Sequence, residues 1–162
     1  DKLRALGPKK ENQIDVRDIY YTPRKNPTFV IRHRLDKELQ HLTIKSISGD
    51  PEIRTEINLH LDMAHGNQGE AITAFLKYFH IEIGVEIIKN VHAFDFEDCE
   101  VVYYRATNGR DSVSCIEVEA KNYQHKDQAL EILNKYEIAL GLTTLAREHK
   151  TLYELLVAPS LR

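Results

Sequence analysis

Apolar and polar residues alternate in short runs along most of this chain. In residues 28–34, Phe29, Ile31 and His33 fall on one side and Val30, Arg32 and Arg34 on the other. In residues 42–46, Leu42 and Ile44 oppose Thr43 and Lys45; in residues 53–61, Ile53, Thr55, Ile57, Leu59 and Leu61 oppose Arg54, Glu56, Asn58 and His60. A period of two marks a strand with one apolar and one polar face. The same texture predicts strands over 82–96, 100–105 and 112–121. Helical spacing appears at Ala71, Ile72, Phe75 and Leu76 within 68–78, and at Ala129, Leu130, Ile132, Leu133, Tyr136 and Leu140 within 126–140, where Gly141 is the expected stop. Residues 1–6 resemble the tail of a helix ended by Gly7-Pro8, and 145–157 predict a last helix. Strands joined by hairpin-length gaps, then helices, give an α+β class with an antiparallel sheet.

The polar faces carry more than solubility requires. They hold Arg32 and Arg34, then Lys45, Arg54 and Glu56, then Lys89, then Glu117 and Glu119. Arginines two apart on a strand stand side by side and repel unless an anion lies between them. A guanidinium also suits a two-pronged grip on phosphate oxygens. Carboxylates two apart on a strand can share a hard divalent cation. Two arrangements fit the alternation. Either the sheet is open with its polar face in water, or the strands close and both sets of charges converge inside. Periodicity does not distinguish them, and spacing alone favours the solvated face.

Composition narrows the choice of ligand. The 162 residues amount to a single domain with an ordinary globular balance, 42% hydrophobic and 29% charged. The net charge is −3, so no global basic field would hold nucleic acid or an anionic membrane. A polyanion would need positive charge gathered locally. Cys99 and Cys115 lack the spacing of a metal site or a disulfide scaffold and are expected as thiols in the cytoplasm. No run reaches membrane-spanning length. The only methionine is Met63, so Asp1 is not expected to be a translation start.

Several segments, in order, resemble the CYTH group of triphosphate tunnel enzymes. They are Arg17-Asp18-Ile19-Tyr20-Tyr21-Thr22-Pro23, Phe29-Val30-Ile31-Arg32-His33-Arg34, Leu42-Thr43-Ile44-Lys45, Arg54-Thr55-Glu56, Glu86-Ile87-Ile88-Lys89, Ile116-Glu117-Val118-Glu119 and the closing run from His149 to Leu156. The resemblance implies an antiparallel closed barrel of about eight strands, with helices outside and a charged tunnel. It implies a magnesium- or manganese-dependent enzyme of the adenylate cyclase, thiamine triphosphatase or tripolyphosphatase kind, acting on a nucleotide or polyphosphate as a monomer or homodimer. By the same resemblance Arg32, Arg34, Lys45, Arg54, Lys89 and Lys150 would grip phosphate. Glu56, Glu117 and Glu119 would hold the metal, and Tyr20 with Lys45 would activate the attacking water. A lysine beside the Tyr20 hydroxyl would lower its pKa. The family's first strand, Glu-x-Glu-x-Lys, would precede Asp1 and is expected to have been trimmed away. Val91 stands where the family usually has arginine, and Asn58 where a second carboxylate is common; neither allows a substrate to be chosen.

Other chemistry finds less support. No dinucleotide fingerprint, phosphate-binding loop or zinc-protease helix is present. His60 and His65 lack ligand spacing, and His33, on an apolar face, reads as a core histidine. Ser112, Ser114 and Cys115 have no triad context. Thr143 and Thr144 read as a helix cap, and Tyr103 and Tyr104 as packing residues. Beside the enzyme stand two rivals: a domain that binds polyphosphate without turnover, and a structural domain with an open, solvated sheet.

Overall fold

In the computed structural model, which describes residues 1–23, 28–47 and 56–161, the alternating segments become strands. They are β1 (Lys10–Pro23), β2 (Phe29–Leu35), β3 (Gln40–Ser46), β4 (Glu56–Leu61), β5 (Ile81–Asp95), β6 (Cys99–Thr107) and β7 (Ser112–Ala120). The helices are α1 (Lys2–Ala5), α2 (Gly69–Lys77) and α3 (Lys126–Leu140), with short helical turns at Tyr153–Val157 and Ala158–Leu161. Among the described residues the strands form one seven-stranded sheet in the order β4-β3-β2-β1-β5-β6-β7. The pairs β1–β2, β2–β3 and β3–β4 are antiparallel. The fold is therefore α+β. Among the described residues β4 and β7 are the ends of this order, not partners that close the expected barrel.

The chain divides into two compact units. One holds residues 1–14, 90–105 and 114–148. Its core is Phe94, Phe96, Cys99, Val101, Ile132 and Tyr136, with Leu3, Val118, Ala120 and Leu140 against it. α3 forms because its apolar residues recur at helical spacing, and His125 caps its start by accepting the Gln128 amide. It ends where Gly141 adopts φ +75°, a left-handed turn that needs glycine, and the Leu142 amide reaches back to the Glu137 carbonyl.

The other unit holds residues 15–89, 106–113 and 149–162. Here α2 covers the apolar face of β1–β3, where Tyr21, Ile31 and Leu76 are buried with Ile19, Phe29, Leu42, Ile72 and Ile81 around them. His33 lies on this face as expected, buried, with Nε2 bonded to Gln40 Oε1 at 2.9 Å. Two expectations need correction. Residues 145–151 are not helical; regular turns begin only near Tyr153, because the run Arg147-Glu148-His149-Lys150 supplies no apolar stripe to pack. Thr143 and Thr144 accordingly lie in the turn after α3 and cap no helix. Cys99 and Cys115 are free thiols, and among the described residues no helix is long and apolar enough to cross a membrane.

Candidate functional site

Register decides which side chains meet. Residues opposite one another in an antiparallel pair share a face, about 5 Å apart at Cβ. Asp18 faces Arg34, which faces His41, which faces His60. One pleat along, Tyr20 faces Arg32, then Thr43, then Asn58; in the next row Val30 faces Lys45, which faces Glu56. All of these belong to the polar face of the second unit, to which β5 adds Lys89.

This face is not solvated where it matters. Asp18 and Thr43 are fully buried, Tyr20 is 3% exposed, and Arg32 and Lys89 are each 6% exposed. The Tyr153 ring stands 6.4 Å from that of Tyr20, centroid to centroid. Burial fades towards β4, where Glu56, Asn58 and His60 are exposed. Taking a charge out of water costs several kcal/mol before any pairing is counted, so a sheet face does not bury arginines and lysines by default.

The charges are held in two groups. At the first, the Arg34 guanidinium grips Asp18 with both prongs, Nε to Oδ1 at 2.8 Å and Nη2 to Oδ2 at 2.9 Å, and Lys89 Nζ meets Oδ2 at 2.8 Å. Burial by itself would raise the Asp18 carboxyl, but Lys89 and Arg34 overcome it and hold the group well below the usual carboxylate range. Burial pulls the Lys89 ammonium below its ordinary value, with Asp18 opposing. At the second group, Glu56 bridges two cations. Its Oε1 lies 3.2 Å from Arg32 Nη2 and its Oε2 2.7 Å from Lys45 Nζ. Burial and the neighbouring Arg32 lower the Lys45 ammonium, while Glu56 resists that shift. Arg32 Nη2 also reaches Thr43 Oγ1 at 3.3 Å, and Thr43 donates to Asn58 Oδ1 at 2.7 Å. Arg32 Nε is buried and, among the described residues, has no hydrogen-bond acceptor. Such an orphan is uncommon and calls for an explanation.

The structure thus brings Tyr20, Arg32, Arg34, Lys45, Glu56 and Lys89 onto one face of one compact unit. Arg54 lies outside the described residues. Lys150 is exposed in the irregular stretch before the final helical turns. Glu117 and Glu119 stand exposed on β7 in the other unit, where the Tyr104 hydroxyl donates to Glu117 Oε1 at 2.6 Å. Tyr104 is buried, as a packing residue should be, whereas Tyr103, expected to pack as well, is exposed.

Two points differ from the sequence-based expectation. Burial and the charge of Asp18 raise the Tyr20 pKa, the reverse of the shift expected from a nearby lysine; the positive charges of Arg32 and Arg34 only moderate this. Register explains it, since Tyr20 faces Arg32 while Lys45 faces Val30 and Glu56. Sequence reasoning also gave Asp18 no role, although its position two residues before Tyr20 on a strand was the available signal: i and i+2 share a face.

A metal needs a cluster of hard donors. Among the described residues no three His, Cys, Asp or Glu side chains gather as one. Glu56, with each oxygen held by a cation, does not fit a metal ligand in this state. Glu117 and Glu119, two apart on one strand, retain the spacing of a shared carboxylate pair.

No protein-family model and no curated protein matches the chain. Its fold does recur among solved structures. It is similar to the PH1012 protein of Pyrococcus horikoshii OT3, with a TM-score of 0.78 at 16% identity over 96% of this chain and 90% of that one. A conserved hypothetical protein of Pyrococcus furiosus aligns with a TM-score of 0.73 at 19% identity, covering 96% of this chain and 90% of the other. A "putative adenylate cyclase" from Bacillus halodurans aligns with a TM-score of 0.62 at 11% identity, covering 84% and 79%. At these identities the likeness is one of fold.

Proposed function

We propose that this chain is a CYTH-like protein that binds the polyphosphate of a triphosphate ligand on the buried polar face of β1–β5 and, with magnesium or manganese, acts on it as a phosphohydrolase or nucleotidyl cyclase. The observation that carries the reading is a cationic face on which Arg32 and Lys89 are buried and Arg34 and Lys45 half-buried. Arg32, Arg34, Lys45 and Lys89 share it with Asp18 and Glu56, and the buried Arg32 Nε has no acceptor among the described residues. A polyphosphate is the anion whose oxygens are numerous enough to engage several such donors at once. The fold of the Bacillus halodurans protein supports the same class.

On this reading Arg32, Arg34, Lys45 and Lys89 hold phosphate oxygens and counter the charge that grows on the leaving oxygen. Preorganised in a water-poor site, they need no rearrangement as that charge develops. Tyr20, a neutral phenol in the resting protein, contributes a hydrogen bond to the nucleophile or to a phosphate oxygen. In a hydrolase the nucleophile is water at the terminal phosphorus; in a cyclase it is the ribose 3′-hydroxyl at the α-phosphorus, expelling pyrophosphate. Glu117 and Glu119, on β7 of the other unit, keep the spacing of a carboxylate pair that would hold a divalent ion. Two free thiols fit a reducing, cytoplasmic setting, and the chain would work as a monomer or homodimer on a small molecule rather than on nucleic acid or a membrane.

One observation favours a second reading, polyphosphate binding without turnover: Glu56 is held by two cations instead of being open to a metal. Release of phosphate and of pyrophosphate from ATP, thiamine triphosphate and tripolyphosphate separates the two. We expect metal-dependent release that falls at least about tenfold, one factor per 1.4 kcal/mol of lost stabilisation, in Lys45→Ala. Absence of release, with tripolyphosphate still raising the melting temperature, selects the binding protein. If neither release nor a rise in melting temperature is seen, the polyphosphate reading is discarded.

A further inference from the structure

We propose that Glu56 is the resident counter-ion of the phosphate seat. Its carboxylate occupies the place between Arg32 and Lys45 that a phosphoryl group takes, and it swings out when the ligand arrives. This rests on the polyphosphate reading above, and it departs from the metal-ligand role that the family resemblance implies for Glu56.

The first argument is geometric. Lys45 and Glu56 face each other across β3 and β4. The two carboxylate oxygens are divided between two cations, Oε1 at 3.2 Å from Arg32 Nη2 and Oε2 at 2.7 Å from Lys45 Nζ. A divalent cation sharing those oxygens would sit against two positive charges, which Coulomb repulsion opposes. An anion replacing the carboxylate would meet attraction from both.

The second argument is incomplete satisfaction. A guanidinium presents Nε and Nη2 as a fork matched to two oxygens of one oxyanion. Glu56 supplies this fork with a single oxygen, at the longer of its two contacts, and Arg32 Nε is left buried without an acceptor among the described residues. Arg32 is more than nine-tenths buried, so water does not make up the deficit freely. A terminal phosphoryl group has three free oxygens. Two can fill the fork and the third can meet Lys45, so phosphate completes what the carboxylate leaves half made.

The third argument is mobility of exchange. The Glu56 side chain is 34% exposed, at the open, β4 side of the face, and can hydrate once displaced. Asp18 is fully buried with its oxygens held by Arg34 and Lys89, and has no such exit. The two carboxylates therefore differ in kind. Asp18 is a permanent part of the site, whereas Glu56 competes with the ligand for its seat.

The test is calorimetric titration of the full chain with tripolyphosphate in EDTA, so that no metal takes part. Glu56→Gln should bind about two- to fivefold more tightly than wild type, the scale of one partly exposed ion pair removed from competition. Glu56→Asp, too short to bridge both cations, should fall between the two, and it carries the test if Glu56→Gln does not fold. Tripolyphosphate should raise the melting temperature of Glu56→Gln by more than that of wild type. Equal or weaker binding by Glu56→Gln in EDTA, with wild type binding, overturns the counter-ion role alone; weakening seen only when magnesium is added would return Glu56 to the metal. If no form binds with or without magnesium, the polyphosphate reading fails and the counter-ion role falls with it.

Discussion

The two compact units solve the problem of charge in opposite ways. In the unit built on α3, the interior is apolar, and the ion pairs stand at the rim: Arg4 with Glu11, Lys9 with Glu97, Lys135 with Asp98. In the unit built on β1–β4, charge is taken inside, where Asp18 is 0% exposed between Arg34 and Lys89. Rim pairs are screened by water and contribute little. Buried pairs are weak evidence for net stability, yet breaking one partner is costly, because a charge is left without compensation in a poor solvent for it. A protein that needed only stability would have filled both interiors like the first. Keeping cations buried on one face makes sense where an anion is to be received.

The largest effect expected from this contrast is at Asp18. Asp18→Asn keeps the shape and removes the charge that Arg34 and Lys89 share. We expect a loss of about 3–5 kcal/mol in urea unfolding at neutral pH. The pH dependence has a definite sign. The folded carboxyl titrates below its unfolded value, so its contribution is complete above the unfolded pKa, about 4, and declines as pH falls below it. Wild type and Asp18→Asn should therefore converge in stability in strong acid. A gap that stays constant down to the acid limit would mean that the aspartate acts through shape alone.

Next in size is the apolar interior. Ile132, 9% exposed on α3, is packed among Phe94, Phe96, Val101 and Tyr136. Ile132→Ala should cost about 2–4 kcal/mol through lost burial and a cavity. Tripolyphosphate should raise the melting temperature of this variant by as much as it raises that of wild type. If the increment disappears as well, the cationic face depends on this core, and the division of labour between the units is wrong.

Much of this was legible in the sequence, and the exceptions share a cause. Period-two alternation located β2, β3 and β5–β7, and period-3.6 spacing located α2 and α3 almost to the residue. Alternation did not locate β1: Lys10-Glu11-Asn12-Gln13 carries none, and Arg17 to Pro23 entered only through the resemblance. Alternation also reports that two faces differ, not what covers the polar one, so it favoured the solvated sheet that burial of Arg32, Tyr20 and Lys89 rules out. The resemblance supplied most of the cluster, Glu56 included though as a metal ligand, but gave Asp18 no part in it. Asp18 acquires its role from Arg34 across β1–β2 and from Lys89 on β5, relations that exist only once strands are in register. For the same reason Tyr20 was expected beside a lysine and is found opposite an arginine.

The smallest expected effect is the sharpest check on the rim. The Arg4 fork reaches Glu11 at 2.7–3.2 Å, and His92 Nε2 meets the same carboxylate at 2.7 Å. The hydrogen bonds from Arg4, then His92, hold the Glu11 carboxyl down at about 2. On distances alone this pair looks as strong as Arg34 with Asp18. It lies in water, though, where both ions are well solvated without each other and two long side chains must be ordered to meet. Arg4→Ala should leave the urea midpoint unchanged within the scatter of the measurement, and added salt should make no difference to that result. A clear destabilisation, removed by salt, would show that the rim pairs bind this unit together electrostatically. Burial, rather than pair geometry, would then no longer be what separates the two regions.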